Sequence, residues 1–260
     1  ACVAVAEENG RLCAGFDVED ALESLRSERY RSPAKPITRL LPFHYHRIPG
    51  AFRLRVGQIL TAGERRPFPR WPIDPSADAL RWIAGHPVPA WPGGKPFGLF
   101  LTHDVDGAQG MALASKLFEI EAGACVPAVY NIVTSTYPVD RGFARAVQAL
   151  GGEIGWHGDL HDNRIAFDAE VGIRRRIEGA RGFLEEFNVT GFRSPSLCRT
   201  PALFRVVAER FRWDSSVPDT GEGGGCATVV PWRMGKLLEL PVSMPQDADL
   251  LFRRYPWKEI

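Results

Sequence analysis

The feature that most constrains the fold is the alternation of short apolar runs with longer amphipathic segments from residue 97 onward. Residues 126–133 form an apolar run of strand length. Residues 168–187 instead predict a helix, because their apolar side chains recur every three or four positions. Units of this size in this order predict a parallel sheet, either open or closed into a barrel. The apolar stripe of the predicted helix consists of Ile173, Ile177, Ala180, Leu184 and Phe187.

Several further elements follow from the same pattern. Residues 97–102 form a continuous apolar run, which predicts a first strand that is buried on both faces. Asp140 and Thr200 are residue types that cap helix N-termini, and Pro201 suits the first helical position. We therefore expect helices to begin after Asp140 and after Thr200. Further strands are predicted at residues 153–156, 189–192, 211–213 and 236–242.

The first part of the chain has a different composition. Of the 21 prolines, 12 fall within residues 33–96. Proline fixes φ and lacks a backbone donor, so long helices or strands are not expected there, and only a short helix at residues 76–84 is predicted. We interpret residues 1–96 as a Pro-rich N-terminal extension that packs on a barrel domain at residues 97–260. The side chains expected to anchor the extension are Trp71, Trp82 and Trp91.

Charge and hydropathy indicate which binding partners and which cellular compartment are to be expected. Lys and Arg total 32 and Asp and Glu total 31, so no strong net field attracts nucleic acid or an anionic membrane. No apolar run approaches the length of about 18 residues that suggests a membrane span. The start lacks the apolar core of a signal peptide and no cysteines form a Cys-x-x-Cys pair, so we expect a cytoplasmic protein. Residues 257–260 resemble the start of a helix, which predicts a C-terminal truncation.

Two pairs of polar residues follow predicted strands. Asp104 and Asp106 are two positions apart, so they can converge on one site, one as a metal ligand and one as a base. An Asx turn before Gly107 is an equal alternative. His157 and His161 are four positions apart, so on a helical turn both imidazoles face the same side and can bind one ion. The alternative is a pair of purely structural histidines.

An arginine and a carboxylate follow the next two predicted strands. Arg193 can orient a carboxylate through a bidentate pair, and Asp214 is the candidate partner. The alternatives are a solvated arginine in the turn at Pro195 and an aspartate that caps a turn. Taken singly, neither residue establishes a function.

The four strand ends together carry Asp-x-Asp, His-x₃-His, Arg-x-Pro and Trp-Asp-Ser in chain order. This order resembles that of the polysaccharide deacetylase family, also known as the NodB-homology family, over residues 97–245. Members of the family remove N- or O-acetyl groups from chitin, peptidoglycan and related sugars. The resemblance lies in the order and spacing of the motifs, not in overall identity. It implies an α/β fold with a distorted, incompletely closed (β/α) barrel.

The resemblance also implies roles for individual residues. Asp104 matches the catalytic base, and Asp106, His157 and His161 match the three ligands of a divalent metal. That metal is most often zinc in the family, with cobalt, manganese or nickel as alternatives. A bound ion of this kind would lower the pKa of a water molecule and polarise the substrate carbonyl.

Two more roles come from the same resemblance. Arg193 is similar to the arginine that holds the catalytic base in place, and Asp214 is similar to the acidic residue that pairs with that arginine. A backbone N–H near Ser196 is expected to contribute to the binding of the oxyanion.

The sequence departs from the usual family pattern at two motifs. Val105 separates the two aspartates that are usually adjacent, which resembles a divergent Asp-x-Asp branch. No histidine follows His161, whereas the last family motif supplies a histidine as general acid; only Asp247 lies in the corresponding region. The sequence therefore leaves the general acid unassigned.

These residues predict a metal-dependent hydrolase that deacetylates an N- or O-acetylated sugar or polysaccharide. Two alternatives stay open. The first is a hydrolase of another non-peptide C–N bond on the same scaffold, such as that of a cyclic amide. The second is a domain that binds carbohydrate without catalysis.

Overall fold

A mixed α/β architecture is seen in the computed structural model, in which helices pack against a central sheet. The described residues are 5–33, 35–36, 40, 48–63, 73–86, 91–220, 224–256 and 258. The strands are β1 (Val5–Glu8), β2 (Arg11–Ala14), β3 (Thr102–Val105), β4 (Val129–Ile132), β5 (Glu153–Trp156), β6 (Gly191–Phe192), β7 (Trp213–Asp214), β8 (Trp232–Met234) and β9 (Leu237–Glu239). The α-helices are α1 (Val18–Arg26), α2 (Gly50–Leu60), α3 (Ser76–Ile83), α4 (Ala108–Ala124), α5 (Arg141–Ala149), α6 (Glu170–Gly179), α7 (Arg181–Glu186), α8 (Pro201–Arg210) and α9 (Asp247–Phe252).

The main sheet has seven strands in the order β3-β4-β5-β6-β7-β9-β8. The strands from β3 to β9 in this order are all parallel, and β8 adds an antiparallel edge. Among the described residues β3 and β8 do not pair with each other, so the sheet stays open. The predicted incompletely closed (β/α) barrel is therefore confirmed. None of the described helices is long and apolar enough to cross a membrane.

The core lies between the sheet and the helices that cover it. Tyr130, Trp156 and Phe192 point from neighbouring strands into one cluster and are almost completely buried. A Cβ at position 191 would lie 1.8 Å from the Trp213 ring, so only glycine lets this ring cross strand β6. The backbone ladders set the spacing of the central strands and hence the positions of the strand ends, while these large rings fill the core beside them.

The prediction of a strand at residues 97–102 was wrong. Strand β3 begins only at Thr102, and Phe97, Leu99 and Phe100 are exposed. The reason is that β3 is an edge strand, whose ladder with β4 begins where Thr102 faces Val129. The correct strand is four residues long and contains Asp104 itself.

The predicted helix at residues 168–187 forms as two shorter helices, α6 and α7, which meet at Ala180. All five residues of its predicted apolar stripe are buried, as expected. The two predicted helix starts are confirmed, because Asp140 accepts a hydrogen bond from the Phe143 N–H and Thr200 accepts one from the Leu203 N–H. The antiparallel strand β8 was not predicted.

The N-terminal segments contact the barrel mainly through polar groups. Glu28 forms an ion pair with Arg199, which follows strand β6. The Tyr30 hydroxyl donates to the Gly225 carbonyl, and the Ala77 N–H donates to the Ala227 carbonyl. These contacts lie on loops that follow β6 and β7. These N-terminal segments therefore contact the end of the sheet that carries the polar motifs.

The structure tests part of the prediction that tryptophans anchor the N-terminal extension. Trp82 is exposed, so its role as an anchor was wrong. Its helix, α3, instead buries Ala77 against Leu22 and Ala227, because a small residue permits close approach of the backbones. Trp71 lies outside the described residues. The division of the chain at residue 96 stays a prediction.

Replacing Glu28 with glutamine should destabilise the protein. The Glu28 side chain is 8% exposed and pairs with both Arg199 and Arg31. Removing one partner of a buried ion pair leaves uncompensated charge, so we expect the free energy of unfolding in urea to fall by about 3 kcal/mol. The matched control is Asp20→Asn, because Asp20 is 66% exposed in its pair with Arg29 and should lose less than about 1 kcal/mol. Equal losses in the two variants would contradict a docking role for Glu28.

Candidate metal centre

The candidate site forms where the carboxyl ends of the parallel strands meet. Asp104 lies in β3 and Asp106 just beyond it, while His157 directly follows β5. Arg193 directly follows β6. In open α/β sheets and barrels this end of the strands is where binding and catalytic groups collect. The parallel register thus brings together residues that are up to 89 positions apart in the chain.

Three of the predicted residues converge as a possible metal ligand set. Asp106 Oδ1 lies 3.3 Å from His157 Nε2 and 3.6 Å from His161 Nε2. One ligand atom from each of the three residues falls within 4.8 Å of the others. Two ligands at about 2.1 Å from a tetrahedral ion are separated by about 3.4 Å, so these spacings fit one zinc-like ion. Both imidazoles are buried and the carboxylate is partly exposed, which leaves one side open to solvent.

The protonation of His157 also suits a metal ligand. Its Nδ1 lies 2.8 Å from the Arg193 carbonyl oxygen. A carbonyl can only accept, so Nδ1 carries a hydrogen, and Nε2 is the nitrogen that faces Asp106. Burial alone would lower the pKa of His157, but the Asp104 and Asp106 carboxylates outweigh this effect and raise that pKa. The site thus favours a positive charge at Nε2, which a divalent ion can supply in place of the proton.

Asp104 is held as an ionised carboxylate. Its Oδ1 accepts hydrogen bonds from Asn131 Nδ2 at 2.9 Å and from Arg193 Nη1 at 3.3 Å. Its Oδ2 faces the candidate metal site, 3.8 Å from His157 Nε2. Burial alone would raise the pKa of Asp104, but His157, Arg193 and Asn131 together hold that pKa below its usual range. The carboxylate therefore has one oxygen fixed and one oxygen available to accept a proton.

Asn131 was not identified from the sequence. It lies in strand β4 next to Gly155 of strand β5, and a Cβ at position 155 would lie 2.1 Å from the Asn131 Oδ1. The glycine therefore makes room for the amide that orients Asp104. The available signal was a polar residue inside the otherwise apolar run 129–132.

Tyr137 was also missed. Its hydroxyl donates a 2.7 Å hydrogen bond to the Val105 carbonyl, which lies between the two aspartates. Burial and the Asp106 carboxylate raise the pKa of Tyr137, so the phenol stays neutral and remains a donor. This bond fixes the backbone between the candidate base and the candidate ligand. Nothing in its local sequence marked Tyr137 as part of the site.

The predicted pairing of Arg193 with Asp214 was wrong. Arg193 Nε donates to the Ser215 carbonyl at 2.9 Å, and its Nη2 donates to Ser215 Oγ at 2.8 Å. Its carboxylate partner is Asp104, and Arg193 and Asp214, both described, do not approach within the 4.0 Å of an ion pair. Asp214 instead accepts hydrogen bonds from the N–H and the hydroxyl of Ser216. The next residue along the chain, Ser215, thus takes the place predicted for Asp214.

Asp214 forms a buried carboxyl pair with Glu239 of strand β9. The two carboxyl groups lie close enough to affect each other's pKa, and neither is exposed to solvent. Burial and the neighbouring Asp214 raise the pKa of Glu239 well above its usual range, so Glu239 is the protonated partner. Its Oε1 accepts from the Ser216 and Val217 N–H groups. The pair therefore holds the loop that presents Ser215 to Arg193.

Comparisons with known proteins bear on the fold. No protein-family model and no curated protein match the sequence. Among solved structures, Puue allantoinase aligns with a TM-score of 0.51 at 17% identity, over 72% of each chain. A candidate polysaccharide deacetylase from Mycobacterium smegmatis aligns with a TM-score of 0.48 at 24% identity, over 59% of this chain and 61% of that chain. A Streptococcus pyogenes deacetylase solved with acetate aligns with a TM-score of 0.42 at 15% identity, over 60% of this chain and 70% of that chain.

These values establish a likeness of fold. The chain spans less than two thirds of the Mycobacterium smegmatis protein that it matches. The alignment with the allantoinase is the one of these three with a TM-score above 0.5. The chain therefore shares the (β/α) barrel architecture of that enzyme, and the geometry of its own side chains must support any function.

The Asp214–Glu239 pair should make stability depend on pH. A carboxyl whose pKa is raised in the folded state stabilises the fold below its unfolded pKa of about 4.3, and this contribution is lost as the pH rises through the folded pKa. For one such carboxyl, the free energy of unfolding falls by at most about 1.4 kcal/mol for each unit by which the pH rises. Glu239→Gln cannot ionise but keeps a donor and an acceptor, so its free energy of unfolding should fall less steeply between pH 5 and pH 9.

The measurement is urea unfolding of both proteins across that pH range. The matched control is Glu153→Gln, because Glu153 also lies in a strand of the main sheet, β5, but is exposed. Parallel pH profiles for Glu239→Gln and the unaltered protein would contradict a neutral Glu239.

Proposed function

We propose that the chain is a metal-dependent hydrolase that removes acetyl groups from an N- or O-acetylated carbohydrate. The supporting observation is that Asp106, His157 and His161 converge on one point while Asp104 lies beside them with one oxygen held by Arg193 and Asn131. The order of the motifs in the chain resembles the polysaccharide deacetylases and supports the same activity.

The roles of the ligands follow from their chemistry. Asp106 Oδ1 and the Nε2 atoms of His157 and His161 would hold a divalent ion. The family resemblance implies zinc most often, with cobalt, manganese or nickel as alternatives. When bound, such an ion supplies a Lewis acid and an activated water. His157 stays correctly oriented because its Nδ1–H is held by the Arg193 carbonyl.

Asp104 is the proposed general base. Oδ1 is occupied by two donors, so Oδ2 is the atom that accepts the proton of the attacking water. Arg193 and Asn131 prevent rotation of the carboxylate. Once protonated, Asp104 is also the group near the candidate metal that can return this proton to the leaving nitrogen or oxygen. Glu239, although protonated, is completely buried and cannot reach a substrate.

A second candidate activity is hydrolysis of a cyclic amide. The observation that favours it is the likeness of fold to an allantoinase. The same base and ligands would serve, because both reactions add water to an amide carbonyl. A panel that contains N-acetylglucosamine oligomers, acetylated xylan and allantoin separates the two. A domain that binds carbohydrate but hydrolyses nothing is the third outcome of this panel.

Metal content and activity should separate the ligands from the base. The double variant His157→Ala and His161→Ala should lose about one equivalent of bound metal, measured by elemental analysis after incubation with zinc. Asp104→Asn should keep the metal and lose roughly 10²-fold to 10⁴-fold in kcat on the substrate found by the panel, because it removes the proton acceptor.

The control is His86→Ala, because His86 pairs with Glu19 on the exposed surface and lies outside the site. It should keep both the metal and the activity. Retention of the metal by the double variant would refute the proposed ligand set, and full activity of Asp104→Asn would refute the proposed base.

A further inference from the structure

The segment that carries the two histidines is largely irregular. After strand β5 the chain runs through His157 and His161 to a short 3₁₀ turn at Ile165–Phe167 before α6 begins. Its first part is tied to the loop after β4, because the Gly158 and Asp159 carbonyls accept hydrogen bonds from that loop. A metal ligand must be held within a few tenths of an ångström. The part that contains His161 must therefore be held firmly as well, and the buried Ile165 and Ala166 are one support for it.

Arg176 of helix α6 provides such a support. Its Nε lies 2.6 Å from Asp159 Oδ1, its Nη2 lies 3.0 Å from Asp162 Oδ1, and its Nη1 lies 3.2 Å from Asp168 Oδ2. Asp159 precedes His161 in the chain, whereas Asp162 and Asp168 follow it. A single guanidinium therefore joins the chain on both sides of His161. The planar fork of arginine suits this arrangement, because its donors point in fixed directions.

The cluster is shielded from water and mounted on a rigid element. The Arg176 side chain is 13% exposed, and that of Asp162 is 9% exposed. Helix α6 is itself fixed to the core by Ile173 and Ile177, which are buried. Charged hydrogen bonds in such surroundings are stronger than those on the surface. Arg176 thus connects the loop to a helix that is anchored in the hydrophobic core.

We propose that Arg176 is a positioning residue that sets the geometry of His161 for metal binding, a role that rests on the proposed metal-dependent function. Arg176 acts through Asp159, Asp162 and Asp168, and its Nη2 also lies 3.5 Å from the Leu160 carbonyl, next to His161. Groups that orient metal ligands from outside typically change metal affinity by about tenfold to a hundredfold when they are removed.

The test compares two arginines on the same helix. Arg176→Met removes the central guanidinium, whereas Arg174→Met removes an arginine that is 46% exposed and pairs with Glu170 and Glu209 on the surface. Both variants change the net charge equally. The full chain is titrated with Co²⁺, and the visible absorption of the bound ion gives both the dissociation constant and the ligand geometry.

We expect Arg176→Met to weaken Co²⁺ binding at least tenfold and to alter the absorption bands, while Arg174→Met stays within about twofold. Arg176→Lys, which keeps the charge but not the fork, should fall between them. A purely structural role would lower the unfolding temperature of the metal-free protein without changing the spectrum of the bound ion.

If Arg176→Met does not fold, Asp162→Ala serves instead, because it removes one arm and leaves Arg176 bound to Asp159 and Asp168. A folded variant that binds Co²⁺ with the original affinity and spectrum would overturn the positioning role alone. Failure of the unaltered protein to bind Co²⁺ would overturn the metal centre itself, and the role of Arg176 with it.

Discussion

The candidate centre depends on one buried guanidinium, that of Arg193. Its side chain holds Asp104 from β3 and is itself held by Ser215 after β7, while its carbonyl fixes the ring of His157 after β5. Three strand ends thus meet at one residue. A buried cation of this kind needs several acceptors, and once these are supplied it fixes their mutual positions. The proposed base and one proposed metal ligand, His157, therefore share a structural support.

Their surroundings make the Asp104 carboxyl charged and the Glu239 carboxyl neutral. Asp104 lies beside His157 and Arg193, which outweigh its burial, so its pKa is lowered and it is ionised. Glu239 lies beside Asp214 without a comparable cation, so its pKa is raised and it stays protonated. The first carboxyl is the proposed base, and the second supports the loop that holds Arg193. Differences of this kind between neighbouring carboxyls are a recurrent feature of active sites.

Much of the barrel and of the ligand set follows from the sequence, because periodicity and strand-end motifs are local signals. Asp106, His157 and His161 were expected together and do lie together. The resemblance led us to expect that Arg193 contacts Asp104, and it does. Its contact with Ser215 in place of Asp214 could not be predicted, because successive residues of a strand face opposite sides and only the fold decides which one faces Arg193. Asn131 and Arg176 were missed for a related reason, since their partners lie on other elements and only the tertiary fold brings them near.

The account is tested most directly by anomalous diffraction at the zinc edge from crystals of the full chain soaked in zinc. It predicts one strong peak at about 2.0–2.2 Å from Asp106 Oδ1 and from the Nε2 atoms of both His157 and His161. His157 Nδ1 should remain bonded to the Arg193 carbonyl. No peak at this position in zinc-saturated crystals, or an ion bound through His157 Nδ1, would contradict the proposed centre.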